Sequence, residues 1–470
     1  MTRADDWPRT GRLLPWLLAV FLVVVWLLPS DAMDVPVPLP LDAHPDRFLL
    51  LALVVATAAS ILARGTYRAG SPARTVSLAI LAVLATGLLS LAVNAHRLVS
   101  LGELHQGRKQ LVVLVSILAL FFVVATAIRP AELPAFGRLI VVLATLTALG
   151  TIWEYRTGYN VFYDLAAKAF GHVMTVRPRP FSTGDSRAET VGPTQHGLAV
   201  TTMLTIAMPF AILGALAARQ RASRALHALA AMLMFAAAVA TQRKTSIVAP
   251  ATCVLVLAAY RPREIVRLAP LGAVLLVLIH VMAPSALGGI VGQFTGGALA
   301  DSGSTIHRTT AYDAVRPDIA TYPLLGRGYG TIDPTRADTY RILDNQYLGV
   351  VIQVGFAGLA AYLALVAAAM ALAHGVVRRG LDADRRRMGL VALAGLVPFA
   401  VANALFDALS FTEVPYLFCI VAGFASVAAA NRLPGPVPRP ARGRPAERAR
   451  CPAPGARTGR PWPGRTKAAA

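Results

Sequence analysis

The sequence is organised around a long polar insertion, HRTTAYDAVRPDIATYPLLGRGYGTID (residues 307–333), which returns to an apolar helix at DNQYLGVVIQVG (residues 344–355). The insertion belongs to a connector that spans residues 284–346 between two apolar segments. A connector of this length in a compact protein is usually functional or disordered. This one contains aromatic residues that can pack, among them Tyr312 and Tyr329. We therefore expect it to form part of a functional site.

The composition is typical of an integral membrane protein. Of 470 residues 56% are hydrophobic and 15% are charged, with a mean hydropathy of +0.58, whereas a soluble domain carries about 25% charged residues. The net charge of +21 suits an anionic membrane leaflet, while nucleic-acid binding would need a soluble basic face. We therefore expect the lipid bilayer, and no nucleic acid, as a partner. The three cysteines lie far apart without metal-ligand spacing, which predicts neither a disulfide framework nor a metal site.

The apolar runs predict an all-α fold, a polytopic membrane protein with about twelve transmembrane helices and a large extracytoplasmic loop between helices 9 and 10. A helix needs roughly twenty apolar residues to cross a bilayer. The predicted spans cover residues 13–29, 48–63, 76–93, 111–128, 138–153, 197–217, 225–241, 246–260, 268–283, 347–373, 388–408 and 414–430.

The charges of the connectors predict the orientation of the chain. With the N-terminus in the cytoplasm, the inner connectors hold nineteen Arg and Lys residues before the tail, against six on the short outer connectors. Cytoplasmic loops of membrane proteins retain positive charge, so we expect a multi-pass protein of the cytoplasmic membrane with both termini inside. Residues 1–432 then form the membrane domain, with extracytoplasmic loops at 154–196 and 284–346. Residues 433–470 are expected to be a disordered, basic Pro/Arg-rich cytoplasmic tail.

Three cations stand at the predicted outer membrane surface. Arg187 begins RAETVGPTQHGL (residues 187–198), ahead of the sixth span, and Arg243 and Lys244 occupy the turn TQRKTS (residues 241–246). A guanidinium group in such a position can bind phosphate through two hydrogen bonds. The alternative is a side chain that only contacts lipid headgroups. The turn contains no acidic residue, and unpaired cations near a membrane are costly unless something negative meets them.

The end of the long connector offers titratable groups. Asp344 and Asn345 stand where the loop enters the tenth span, and Asp344 is either a helix N-cap or a general base. His307 and His196 are further titratable groups on the same predicted face. The glycines at 326–330 (GRGYG) lack the strand–loop–helix context of a nucleotide-binding loop, so we predict a tight external turn there.

Three stretches together resemble the O-antigen ligase and O-antigen polymerase superfamily of bacterial envelope proteins. They are RAETVGPTQHGLAVTTMLTIAMP (residues 187–209), TQRKTSIVAP (residues 241–250) and the loop from HRTTAYD (residues 307–313) to DNQYLGVVIQVGFAGL (residues 344–359). The resemblance covers about residues 187–360 and implies metal-independent glycosyl transfer without a cofactor, outside the cytoplasmic membrane. It implies a glycan on polyprenyl diphosphate as donor and another glycan or a lipid-linked sugar as acceptor.

The resemblance also implies roles for individual residues. Asp344 stands in the place of the family's loop histidine, the proposed base, and His307 or Asp313 are alternatives. The implied diphosphate-binding residues are Arg187, Arg243, Lys244 and Arg308. An aspartate has an ordinary pKa of about 3.9, against about 6.5 for histidine, and is the weaker base. This departure from the ligase pattern slightly favours a polymerase over a ligase.

Two other classes of function stay open. A transporter or flippase of lipid-linked or anionic substrates would show internal repeats and polar groups at the bilayer midplane, and neither is clear in the sequence. A non-catalytic scaffold for envelope assembly is the third hypothesis. The enzymatic hypothesis requires Arg187, Arg243 and Asp344 to line one outward-facing cavity. The sugar, the linkage and the oligomeric state are not fixed by the sequence.

Overall fold

The computed structural model describes residues 13–36, 43–64, 71–178, 189–282, 315–332 and 343–430. Over these residues nearly all regular structure is α-helix. The predicted tail at 433–470 lies outside the described residues, as does most of the predicted loop at 284–346.

The described helices follow the apolar runs of the sequence. They include α1 (Leu13–Leu27), α2 (Pro45–Arg64), α3 (Ser71–Val93), α4 (Ala95–Ser100), α5 (Leu104–Ala127), α6 (Leu133–Thr157), α7 (Val161–Phe170), α8 (Gly197–Ala217), α9 (Arg221–Ala240), α10 (Thr245–Tyr260), α11 (Pro262–Met282), α12 (Gln346–Arg379), α13 (Ala383–Leu405) and α14 (Glu413–Ala429). Residues 315–321 are helical as well. Two short antiparallel strands, β1 (Met33–Asp34) and β2 (Thr175–Val176), pair Met33 with Val176 and Asp34 with Thr175.

Each of the twelve predicted spans overlaps one of these helices. Among the residues that the structure describes, eight helices are long and apolar enough to cross a membrane, namely α2, α3, α5, α6, α8, α9, α12 and α13. The apolar helices α1, α10 and α14 are shorter, with 15, 16 and 17 residues. The prediction of a helical, polytopic membrane protein is confirmed at this level. The number of twelve crossings and the sidedness of the loops stay predictions.

The helices differ in how deeply they are packed. In α8, 83% of an apolar stretch of 18 residues is buried inside the protein, whereas the buried share of the corresponding stretch is 22% in α2 and 28% in α3. The outer helices instead expose large apolar side chains, such as Leu62 on α2 and Leu88 on α3. A helix surrounded by lipid keeps its backbone hydrogen bonds internal and shows apolar side chains outward. The burial pattern therefore has α8 near the centre and α2 and α3 at the lipid-facing periphery.

Helix α12 is interrupted where the glycine-rich turn of the long connector packs against it. Gly355 has φ 70° and ψ −171°, outside the helical region. The N–H of Arg327 donates to the carbonyl of Ile352 (2.8 Å) and the N–H of Gly328 to that of Gln353 (3.1 Å). The predicted turn at 326–330 is therefore present, and it satisfies carbonyl groups that the break in α12 leaves without helical partners.

Candidate functional site

The turn between α9 and α10 holds Arg243 in a fixed position. The hydroxyl of Thr241 lies 2.9 Å from that of Thr201 on α8 and 2.8 Å from that of Ser246. Ser246 Oγ accepts a hydrogen bond from the backbone N–H of Arg243 (3.1 Å). Gln242 completes the turn with φ 55°, in the left-handed region that non-glycine residues rarely adopt. These contacts fix the backbone of the turn at Arg243.

Glu189 meets Arg243 from a distant part of the sequence. Glu189 Oε1 lies 2.5 Å from Arg243 Nη2 and accepts a hydrogen bond from the N–H of Gly197 at 3.1 Å. His196 Nε2 lies 3.4 Å from the same oxygen. The local sequence of the arginine turn contains no acidic residue, but the fold brings one to it. Glu189 therefore joins the start of α8 to the turn that carries Arg243.

His196 is the N-cap of α8, and its ring is largely buried. Its Nδ1 accepts a hydrogen bond from the N–H of Leu198 (3.2 Å), so Nε2 carries the hydrogen of the neutral ring. Burial lowers the pKa of His196 below its usual value, Glu189 opposes the shift, Arg243 adds to it, and Asp344 opposes it. The ring centroid lies 5.7 Å from that of Phe411. The pKa of His196 is thus affected by charged residues from three separate segments of the chain.

Asn345, and not Asp344, is the N-cap of α12. The side chain of Asn345 accepts a hydrogen bond from the N–H of Leu348 (3.2 Å). The sequence left open whether Asp344 is a helix N-cap or a general base. Because Asn345 occupies the cap position, Asp344 is not the N-cap. Asp344 is half-buried, and its charge affects both His196 and Asp407.

Asp407, like Glu189, was not singled out by the sequence as part of a site. It follows the end of α13 and precedes a 3-10 turn at Ala408–Ser410. Leu409 N–H donates to Gln346 Oε1 (2.9 Å), which ties this turn to the start of α12 and brings Asp407 towards Asp344. The signal in the sequence was weak, because Asp407 lies at the end of a predicted span and far from the other candidates.

The environment of Asp407 favours its protonated form. Burial raises the pKa of Asp407 to about 6; a hydrogen bond with Ser410 opposes this rise, and the negative charge of Asp344 adds to it. A carboxyl group with such a pKa accepts a proton more readily near neutral pH than an exposed aspartate. We call Glu189, His196, Arg243, Asp344 and Asp407 the Arg243 cluster.

The predicted site residues are only partly covered by the structure. Two of the predicted site residues, Arg243 and Asp344, are close enough to His196 that the charge of each affects its pKa. Lys244 is half-buried beside Arg243, at the start of α10. The other predicted site residues lie outside the described residues, namely Arg187, His307, Arg308 and the alternative base Asp313. Within the described ranges no three His, Cys, Asp or Glu side chains are grouped as metal ligands.

A second polar cluster lies next to the first, around the start of α14. Thr412 donates a hydrogen bond to Asp31 Oδ1 (2.9 Å), and Tyr416 donates one to Asp46 Oδ2 (2.8 Å). Glu413 is buried beside them, with 3% of its surface exposed. We call Asp31, Asp46 and Glu413 the carboxyl cluster. Its members come from the end of α1, the start of α2 and the start of α14.

The fold and the Arg243 cluster define a polytopic helical membrane protein with an arginine–carboxylate site where several helices end. Residues 229–363 match the protein family described as O-antigen ligase. The matched segment runs from α9 through the arginine turn to the first half of α12, and it contains Arg243, Lys244 and Asp344. Over this segment the chain is similar to the O-antigen ligase family, and the resemblance inferred from the sequence is confirmed there. No curated protein matches the chain.

Proposed function

We propose that the protein is a membrane glycosyltransferase that moves or polymerises a glycan carried on polyprenyl diphosphate. In this proposal the Arg243 cluster faces the outer side of the cytoplasmic membrane, both termini are cytoplasmic, and no metal is needed. The acceptor is another glycan or a lipid-linked sugar. The observation that supports the proposal is the Arg243 cluster, of which Arg243 and Asp344 lie inside the segment that matches the O-antigen ligase family.

Arg243 is the group we propose to bind the diphosphate. Its ion pair with Glu189 leaves 38% of the side chain exposed, so part of the guanidinium stays accessible to an anion. A guanidinium binds phosphate oxygens through two parallel hydrogen bonds. As the sugar–phosphate bond breaks, the leaving diphosphate gains negative charge, and a cation already in place stabilises that charge. Lys244 supplies a second cation in the same turn, and Arg187 and Arg308 remain proposed partners from the sequence.

The two aspartates of the cluster are the groups we propose to receive the proton. The acceptor hydroxyl oxygen attacks the anomeric carbon, the bond from that carbon to the phosphate oxygen breaks, and the hydroxyl proton passes to a carboxylate. Asp407 suits this role because its pKa of about 6 makes it a stronger base than an ordinary aspartate. Asp344 raises that pKa through its negative charge. His307 remains the alternative base that the resemblance implied.

Replacing Arg243 with alanine tests the proposal. We expect polymer or ligated product to fall by at least about 100-fold, since removing one preorganised donor to a developing anion costs about that much. The product is measured by gel analysis of membranes that contain the host's own lipid-linked glycan. Binding of farnesyl diphosphate to the purified protein, measured by calorimetry, should weaken as well. The matched control is Arg156→Ala, which removes an exposed arginine near the end of α6.

The same variants separate the enzyme from a transporter. Both variants must reach the membrane at wild-type levels, and Arg156→Ala should make wild-type product. Full-length product from Arg243→Ala would contradict the role of Arg243. Uptake of the lipid-linked glycan by sealed vesicles without added acceptor would instead support a transporter or flippase.

A further inference from the structure

A basic cleft lies at the end of α12 that is distant from the Arg243 cluster. The helix begins after Asn345, beside the cluster, and ends at Arg379 after 34 residues. From the break at Gly355 to Arg379 the helix runs on for 24 residues, which at a rise of about 1.5 Å per residue is a length of about 36 Å. The cleft therefore belongs to the opposite end of the protein and takes no part in the proposed reaction.

The cleft is an open space of about 620 Å³ beside one face of the last turns of α12. It is lined by Ala371, His374, Gly375, Arg378 and Arg379. A side-chain carbon added at Gly375 would meet nothing within 4 Å. The glycine thus leaves open space between the histidine and the two arginines.

The histidine of the cleft is held in place by a neighbouring helix. His374 Nδ1 lies 2.5 Å from the hydroxyl of Tyr260, the last residue of α10. The two rings pack edge to face with centroids 6.0 Å apart. Aromatic side chains with a polar tip are enriched where a membrane meets water. This pair is consistent with a position of the cleft at the level of the lipid headgroups.

The positive charge of the cleft is not neutralised by the protein residues that the structure describes. Arg378 and Arg379 have exposed side chains, and neither forms an ion pair with any described residue. By contrast, Arg385 in the next helix pairs with Asp382 at 3.4 Å. Two exposed guanidinium groups at the end of one helix favour a phosphate group, which each can bind through two hydrogen bonds.

We propose that this cleft binds the phosphate headgroup of an anionic phospholipid. The lipid belongs to the leaflet at this end of the protein, which the connector charges predict to be the cytoplasmic one. Basic pockets between transmembrane helices on that side bind anionic headgroups in other membrane proteins. The acyl chains would lie along the apolar sides of the helices, and the phosphate would enter the space beside Gly375.

Lipid-dependent stabilisation of the purified full-length protein tests the inference. The melting temperature in detergent is measured with added dioleoylphosphatidylglycerol and with added dioleoylphosphatidylcholine. We expect only the anionic lipid to raise it, because a ligand that binds the folded state stabilises that state. In the double variant Arg378→Gln/Arg379→Gln the affinity for phosphatidylglycerol should fall by at least about tenfold, since hydrogen bonds to charged groups are lost.

Two further variants separate a shaped site from general charge attraction. Arg263→Gln/Arg267→Gln removes two exposed arginines on α11, outside the cleft lining, and should keep the full response. Gly375→Trp fills the cleft with both arginines retained and should abolish the response. An unchanged response in Gly375→Trp, or equal losses in the two arginine pairs, would overturn the proposal. An equal shift with glycerol 3-phosphate alone would also overturn it, in favour of a soluble anion.

Discussion

At the scale of single residues, the site combines an arginine–carboxylate ion pair with a buried aspartate. Glu189 holds Arg243 at 2.5 Å and also lies 3.4 Å from His196. Asp407 has a raised pKa of about 6 because it is buried, and Asp344 adds to that rise. Groups whose pKa values are shifted by burial and by a charged neighbour concentrate at functional sites. In the Arg243 cluster, His196 and Asp407 have pKa values shifted in this way.

The pH dependence of the reaction should report Asp407. If its carboxylate receives the acceptor proton, we expect the rate to rise with pH up to about 6 and to level off above, because only the ionised form is a base. Asp407→Asn should remove this rise and lower the rate by about 100-fold or more. Rates are measured from product formation between pH 4.5 and 8.

A second variant tests the coupling of the two aspartates. Asp344→Asn removes a negative charge that raises the pKa of Asp407, so the rise in rate should move to lower pH. Asp407→Glu keeps a carboxylate and serves as the control. A wild-type pH profile in Asp407→Asn would exclude Asp407 as the base.

At the scale of elements, the break in α12 joins the long connector to the helix bundle. Gly355 has φ 70°, which favours glycine, and a side-chain carbon there would lie 2.3 Å from the carbonyl of Leu324. Arg327, in the turn that packs here, forms a buried ion pair with Glu103 at 3.1 Å. The break therefore cannot be closed into regular helix without displacing the turn.

Two glycines of the same helix give a matched pair of variants. Gly355→Ala should destabilise the protein by about 1–3 kcal/mol through backbone strain, with a further cost from the clash. Gly375→Ala meets open space in helical backbone and should be neutral or stabilise by about 0.5–1 kcal/mol. The melting temperatures in detergent are compared. Equal melting temperatures for the two variants would contradict this account of the break.

At the scale of the whole molecule, the carboxyl cluster joins segments that are far apart in the chain. Asp31 follows α1, accepts a hydrogen bond from Thr412 ahead of α14, and its backbone carbonyl accepts one from Gln195 beside His196 (2.9 Å). Burial raises the pKa of Asp31, the nearby Asp46 adds to the rise, and His44 opposes it. These contacts join residues that are far apart in the sequence. We therefore expect the charge of this cluster to affect how stably the helices pack together.

The raised pKa of Asp31 gives a prediction for stability. A carboxyl whose pKa is higher in the folded state stabilises the protein at low pH, and that contribution is lost as pH rises through the folded-state pKa. We expect the melting temperature of the wild type to fall as the pH increases from 5 to 8, and Asp31→Asn to weaken that fall. The control is Asp34→Asn, whose carboxylate is 42% exposed. An unchanged slope in Asp31→Asn would contradict this assignment.

The sequence by itself determined where the helices lie and which family the chain resembles. Each predicted apolar run falls on a helix, because the length and hydropathy of a run are local properties of the chain. The resemblance rested on local motifs as well, and the match at residues 229–363 confirms it. Arg243 and Asp344 were accordingly recognisable as candidates from the sequence alone.

Only the tertiary structure decided which charged groups meet. Glu189 pairs with Arg243, Asn345 takes the cap that Asp344 was considered for, and Asp407 comes under the influence of Asp344. None of these contacts follows from local sequence, since each depends on how helices from separate parts of the chain pack side by side. The spacing of residues along a chain fixes periodicity and length, but the distance between two charges is fixed by packing.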